Sequence, residues 1–285
     1  MFKRRHYAKT DFELSMLPAT RGQQFRAVLK NEKLTFLYLG LILLAFALPI
    51  LAVDALRGEY ASALYSLIGT GEGQLTQTQA DYTFLMEDFF FDFLMLLAFL
   101  IYGIGLSGCL QIFRNLAYDE GVLFGSDFKE GIKKNIGPVL ILMAIFAVLR
   151  AILHTLENTS QLLKNSYFYI GIWLVFGFNL LLVVPLLLVW FGETAAYSNR
   201  IKNNLRNLFP LLGYGYFGSV LFSLGVMGCY FIPLLGHSVW LYLAFVLLSL
   251  VSPYYFYGWH LYSLSVFDKT LNQDYPEYLY RGLHR

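Results

Sequence analysis

Long stretches of this chain carry no charge, and their lengths divide it. Leu34 to Val53 is free of Lys, Arg, Asp and Glu, and so is Phe93 to Phe113, with Asp92 at its lip. Ile136 to Leu156 contains one charge, Arg150, and Asn165 to Gly192 contains none. Asn207 to Phe267 is charge-free across 61 positions. A bilayer core about 30 Å thick is crossed by about 20 helical residues, so the last run is long enough for two crossings. Pro233, Gly236, His237 and Ser238 supply the break, since proline cannot continue a helix and glycine tolerates a tight turn. The pattern predicts an all-α polytopic membrane protein with six spans, at about 34–54, 89–113, 136–156, 167–192, 208–233 and 238–262. This 21–267 membrane domain is flanked by tails at 1–20 and 268–285.

A second pattern precedes the odd-numbered spans. Phe25-Arg26-Ala27-Val28-Leu29-Lys30-Asn31, Phe128-Lys129-Glu130-Gly131-Ile132-Lys133-Lys134-Asn135 and Ile201-Lys202-Asn203-Asn204-Leu205-Arg206-Asn207 each place apolar residues four apart, with Lys and Arg between them. That spacing gives one apolar and one basic face. The expected architecture is three helical hairpins, each led by an interfacial amphipathic helix. Thr20 with Gln23 fits a capping box, and Ser126 and Ser198 are placed to cap the other two.

Composition agrees and excludes other classes. Apolar residues make up 57% and charged residues 14%, against about 45–50% and about 25% in soluble domains. With a net charge of +2 and two cysteines, disorder, a disulfide scaffold and a nucleic-acid-binding basic domain are excluded. Cys109 and Cys229 fall toward opposite ends of their spans and read as packing residues. Of the 21 Lys and Arg, eighteen lie on one side if the N-terminus is inside; Arg57 and Lys164 lie on the other and Arg150 within a span. By the positive-inside bias both termini are cytoplasmic. The basic start is followed by no apolar stretch before Leu34, which opens a full-length span, so no cleavable signal peptide is expected.

Leu17-Pro18, Arg21, Gln23-Gln24-Phe25 and Leu29-Lys30-Asn31 are similar to the N-terminal signature of YesL-like bacterial membrane proteins. Gly125-Ser126-Asp127-Phe128-Lys129-Glu130-Gly131 with Lys134-Asn135 resembles their segment between spans two and three, and the basic segment before span five fits as well. The long outer loop, Ala55 to Met86, and the sixth span with its tail have no counterpart in the resemblance. The resemblance implies a multi-span protein of the bacterial plasma membrane associated with carbohydrate uptake systems of the ATP-binding-cassette (ABC) type. It implies no catalytic or ligand residues.

Charges inside spans are costly and mark candidate sites. Arg150, His154 and Glu157 share one face of span three, and Asp88 and Asp92 are four apart at the start of span two. At about 1.5 Å per residue these groups fall in the outer third of the membrane. A contact from Asp92 to Arg150 or His154 is therefore expected, although side chains on antiparallel helices lean apart. His154 is the member of the group that can change charge near neutral pH. Gly215, Ser219 and Ser223, like Gly103 and Ser107, read as close-packing residues. Tyr254, Tyr255, Tyr257, Trp259 and His260 read as an aromatic belt at the membrane surface.

There is no His-Glu-x-x-His, Gly-x-Ser-x-Gly, Cys-x-x-Cys or nucleotide-binding loop. No catalytic residue, metal or cofactor is expected. The expected function is that of a non-enzymatic accessory protein in the bilayer, docking on a transport complex. Asp127, Phe128, Lys129, Lys133 and Lys134 are its candidate docking residues, and an ABC-type permease or ATPase subunit is the candidate partner. The alternative is a small-solute transporter using the outer polar cluster; an intramembrane enzyme ranks third. The orientation has a direct check. With Cys109 and Cys229 replaced, an impermeant maleimide on intact cells should label Gln74→Cys and spare Lys202→Cys; the reverse pattern would invert the topology.

Overall fold

The computed structural model describes residues 17–69, 74–163, 166–197, 201–228, 239–275 and 277–283. Most of the N-terminal tail, Cys229, Lys164, the cap expected at Ser198 and the break at Pro233 to Ser238 lie outside them. The described chain is helical: α1 (Arg21–Asn31), α2 (Lys33–Tyr65), α3 (Gln77–Ala117), α4 (Phe124–Leu163), α5 (Ser166–Phe178), α6 (Val184–Tyr197), α7 (Ile201–Gly228) and α8 (Val239–Phe267). A π-helical turn, Asn179–Val183, joins α5 to α6. Six helices are long and apolar enough to cross a membrane, with α5 and α6 counting as one, and the chain is a multi-pass membrane protein.

Three helices overrun the bilayer. α2, α3 and α4 have 33, 41 and 40 residues, about 50–60 Å at 1.5 Å per residue. Much of the expected outer loop is therefore helix. The turn that remains carries one parallel bridge between Ile68 and Leu75, and a capping box of Thr76 with Gln79 starts α3.

Of the three amphipathic segments, the first is a helix of its own. Thr20 caps it by accepting from the Gln23 N–H, while Gln23 accepts from Ala19 rather than from the cap residue. The second and third run without a break into α4 and α7. Continuing the helix pairs most backbone N–H and C=O groups at the junction, apart from the carbonyls that face Pro138 and Pro210, whereas a loop there would leave them to water. The second helix accordingly begins before Ser126. Asp127 accepts from the Leu123 N–H at 2.7 Å, and the Ser126 hydroxyl donates to the Leu123 carbonyl.

α3 lies between α2 and α4, and α8 packs on α2 and touches α6 and α7. Two crossings depend on glycine. A Cβ on Gly40 would lie 3.0 Å from the Leu250 backbone of α8, and one on Gly131 would lie 2.6 Å from the Gly108 carbonyl of α3. Proline within a span frees a carbonyl, and at two of the prolines a side chain satisfies it. Pro185 has no N–H for Leu181, whose carbonyl accepts from the Tyr216 hydroxyl at 3.1 Å. Pro253 likewise frees the Ser249 carbonyl, which accepts from Ser252 at 2.8 Å.

Gly215, Ser219 and Ser223 are buried as expected, with α7 bent at Gly215 and the Tyr262 hydroxyl donating to its carbonyl. The expected aromatic belt is instead largely core. Tyr257, Trp259 and His260 are wholly buried, Tyr254 stacks on Phe36, and Trp259 Nε1 donates to the Leu188 carbonyl at 2.9 Å. Because α8 is enclosed by α2, α6 and α7 at this end, its rings meet helices rather than headgroups.

The α3–α4 crossing gives a test. Gly131→Ala should destabilise the protein by about 1–3 kcal/mol through overpacking, seen as a lower unfolding midpoint in detergent. Gly137→Ala, where a Cβ meets nothing within 4 Å, should leave the midpoint unchanged.

Candidate functional site

α2, α3 and α4 converge on a cluster of charged side chains at the end where α2 turns into α3. Asp88 is its centre, buried on α3 one turn before Asp92. Asp88 Oδ1 lies 2.7 Å from Arg57 Nε, and its Oδ2 lies 3.1 Å from His154 Nδ1. Asn158 Nδ2 donates to the same Oδ2 at 2.6 Å. One turn away, Asp92 Oδ1 is 3.6 Å from both Arg150 Nη1 and His154 Nδ1. The expected contact from Asp92 to Arg150 and His154 is present, and it is the looser part of the network. Antiparallel side-chain lean accounts for that.

His154 lies between the two kinds of group, with Nδ1 toward Asp88 and Asp92 and its ring against Arg57 Nη2. Two carboxylates face two guanidinium groups. Such balance is what allows charge to be buried at all.

Arg57 and Asn158 are the members that sequence reading left out. The charge-free run ends at Val53, which puts Arg57 in the expected outer loop. The helix continues, and a signal for it exists: Val53, Leu56, Tyr60 and Leu64 keep the three-to-four spacing through Arg57. Asn158 is one turn beyond His154 and uncharged, so no search for ionised groups finds it. Glu157 lies beside it, half-buried, with its carbonyl accepting from Ser160.

Asp88, Asp92 and His154 each offer a ligand atom within 4.8 Å of the others, so this trio could hold a metal ion. Arg57 and Arg150 already engage both carboxylates, and a cation would have to displace two guanidinium groups. The donor set suits an ion-paired clasp between three helices better than a metal centre.

The opposite end carries a second polar assembly. Arg21 Nη2 pairs with Asp268 Oδ2 at 2.9 Å, and its Nη1 donates to Gln24 Oε1 and the Arg281 carbonyl. Gln24 Nε2 donates to the Ala117 carbonyl at 2.6 Å, satisfying the C-terminus of α3. Asp268 Oδ1 accepts from Asn272 and from the Tyr280 N–H. The tail expected after the last span thus folds back as a strap across α1 and the α3–α4 turn. Arg281 closes it, pairing with Glu120 at 2.5 Å and lying 4.7 Å over the Tyr118 ring. Burial pushes the Tyr118 phenol up to about 12, although Arg114, Arg281 and Arg21 are nearby.

The candidate docking residues divide by direction. Asp127 is buried as the internal cap of α4, and Phe128 packs over Gly108 with its ring 6.4 Å from Phe46. Lys129, Lys133 and Lys134 are exposed, with Lys134 pairing to Glu130 on its own helix. No family model, curated protein or solved structure matches this chain.

The clasp predicts asymmetric mutant energetics. Arg57→Leu alone should cost about 3–5 kcal/mol by stranding Asp88, and Arg57→Leu with Asp88→Leu should recover part of that. Denaturant unfolding in detergent reads both, and a neutral Arg57→Leu would refute the clasp.

Proposed function

We propose that this protein is a non-catalytic membrane accessory subunit that docks on a transport complex through its basic end. The observation that carries the reading is the sorting of polar groups at that end. Arg26, Lys30, Lys33, Lys129, Lys133, Lys134, Lys202, Arg206 and Lys269 are exposed, whereas Gln24, Asp127, Glu193, Asn204 and Asp268 are buried. Buried polar groups hold α1, the strap and the helix ends as one platform, and the exposed cations from five elements are left for a partner. Charge arranged this way steers association and sets specificity. By the bias of Lys and Arg this end faces the cytoplasm of a bacterial cell, where the ATPase and the inner loops of an ABC-type permease sit. The resemblance to YesL-like proteins supports such a partner, in carbohydrate uptake.

A second reading is favoured by one observation, the buried Asp88–Asp92–His154 group: a small-solute transporter using that cluster. The two readings separate in one experiment. Under docking, tagged protein in mild detergent should recover permease or ATPase subunits at near-equal amounts, and Lys129→Glu/Lys133→Glu/Lys134→Glu should lose them while Arg150→Leu keeps them. A solitary wild-type protein would count against docking, and loss of solute uptake in a folded Arg150→Leu protein would then support transport.

A further inference from the structure

The strap is held at two places that differ in character. Its inner end, just past α8, is Asp268, which pairs with Arg21 Nη2 at 2.9 Å and accepts from Asn272 and from the Tyr280 N–H. The Arg21 and Asp268 side chains are 9% and 2% exposed, and breaking a pair so buried is costly. Asn272 is buried as well and accepts from the Tyr197 hydroxyl at 2.5 Å. The outer end is Arg281, which meets Glu120 of the α3–α4 turn at 2.5 Å, with exposures of 42% and 40%. An exposed pair contributes little and is screened by salt.

Beside the outer hold lies a fit that only glycine allows. Gly282 has a φ of 79°, and a Cβ on it would lie 2.2 Å from the Ala117 carbonyl oxygen at the end of α3. Gln24 Nε2 fastens the two, donating to the Ala117 carbonyl at 2.6 Å and to that of Gly282 at 3.4 Å. Arg21 Nη1 donates to the Arg281 carbonyl at 2.9 Å. The backbone is left-handed on both sides of the outer contact: Tyr280 on the strap has a φ of 56°, and Asp119, next to Glu120, a φ of 55°. Such conformations cost free energy and persist where the surroundings hold them, so letting go at this contact relieves both.

We propose that the C-terminal strap is a reversible latch, with Asp268 as its hinge, Arg281 and Glu120 as its release and Gly282 as its catch, and that its closure switches on docking at the basic end. The switching role rests on the docking reading; the latch itself does not. Closed, the strap ties together three carriers of exposed cations. These are α1 with Arg26 and Lys30, the end of α8 with Lys269, and the start of α4 with Lys129, Lys133 and Lys134, reached through the α3–α4 turn. Open, the turn that leads into α4 loses Arg281 and Gly282, while Arg21 and Asp268 keep α1 on α8. Recognition by a set of charges depends on their mutual placement, so the latch changes docking without adding or removing a charge.

Trypsin reads the latch in the purified full chain in neutral detergent, through mass spectrometry of cleavage after Lys269 and after Arg281. A synthetic peptide of residues 266–285 gives the rate for an open strap. Cleavage follows the open fraction when opening is fast, so at low salt the protein should be cut at least about tenfold more slowly than the peptide. High salt should raise its rate relative to the peptide's by about two- to fivefold, the range that an exposed pair supports. Gly282→Ala should be cut at low salt at least about tenfold faster than the wild type, from its φ and its overlap with Ala117. Glu120→Arg should also open the strap, and Glu120→Arg with Arg281→Glu, read after Lys269, should close it again. That rescue separates a lost contact from a misfolded chain. Wild-type cleavage at the peptide's rate or indifferent to salt, Gly282→Ala cut no faster than the wild type, or no recovery in the double variant overturns the latch. Gly282→Ala keeps every cation of the basic end, so recovery of permease or ATPase subunits at the wild-type level on an open strap overturns the switch. A wild type that recovers no such subunit while its strap opens and closes as described removes the docking reading and the switch with it, and the latch stands.

Discussion

In a bilayer, apolar side chains gain nothing by leaving lipid for one another, so six apolar helices have no general reason to pack. Contact has to come from close backbone approach and from polar groups that lipid cannot satisfy. Both are visible here, and they divide the molecule along its length. At mid-span, Gly40 admits the backbone of Leu250, while toward the basic end Gly131 admits that of Gly108. At the ends, charged and amide side chains tie helices together.

The two ends use polar chemistry differently. Where α2 turns into α3, Arg57, Asp88, Asp92 and Arg150 balance one another and His154 lies between them. That arrangement joins three helices and leaves little charge unspent. At the basic end the buried partners are mostly amides and one ion pair, Arg21 with Asp268, and the surplus cations face outward. A balanced clasp suits a structural role, while an unbalanced rim suits recognition.

The helices themselves are not uniform rods. The π turn at Asn179–Val183, the bend at Gly215 and the prolines at 185 and 253 all release backbone groups inside the membrane. Two of the released carbonyls are taken up by a hydroxyl, from Tyr216 and from Ser252. At these two places a side chain compensates for the departure from ideal geometry, which lowers the cost of an unpaired group in lipid.

The sequence by itself determined the number of spans, because crossing the bilayer needs about 20 uncharged residues and that requirement is written in composition along the chain. It also determined which charges share a face, since helical spacing puts Asp88 with Asp92 and Arg150 with His154. Tertiary structure alone decided which faces meet. It brought Arg57 from a supposed loop to Asp88, turned Phe128 inward over Gly108, and folded the strap onto Arg21. It also enclosed Tyr257 and Trp259, which composition places at the membrane surface. The physical reason is that lipid and protein interior are equally apolar. Hydropathy distinguishes membrane from water, but it does not distinguish a helix face that meets lipid from one that meets another helix.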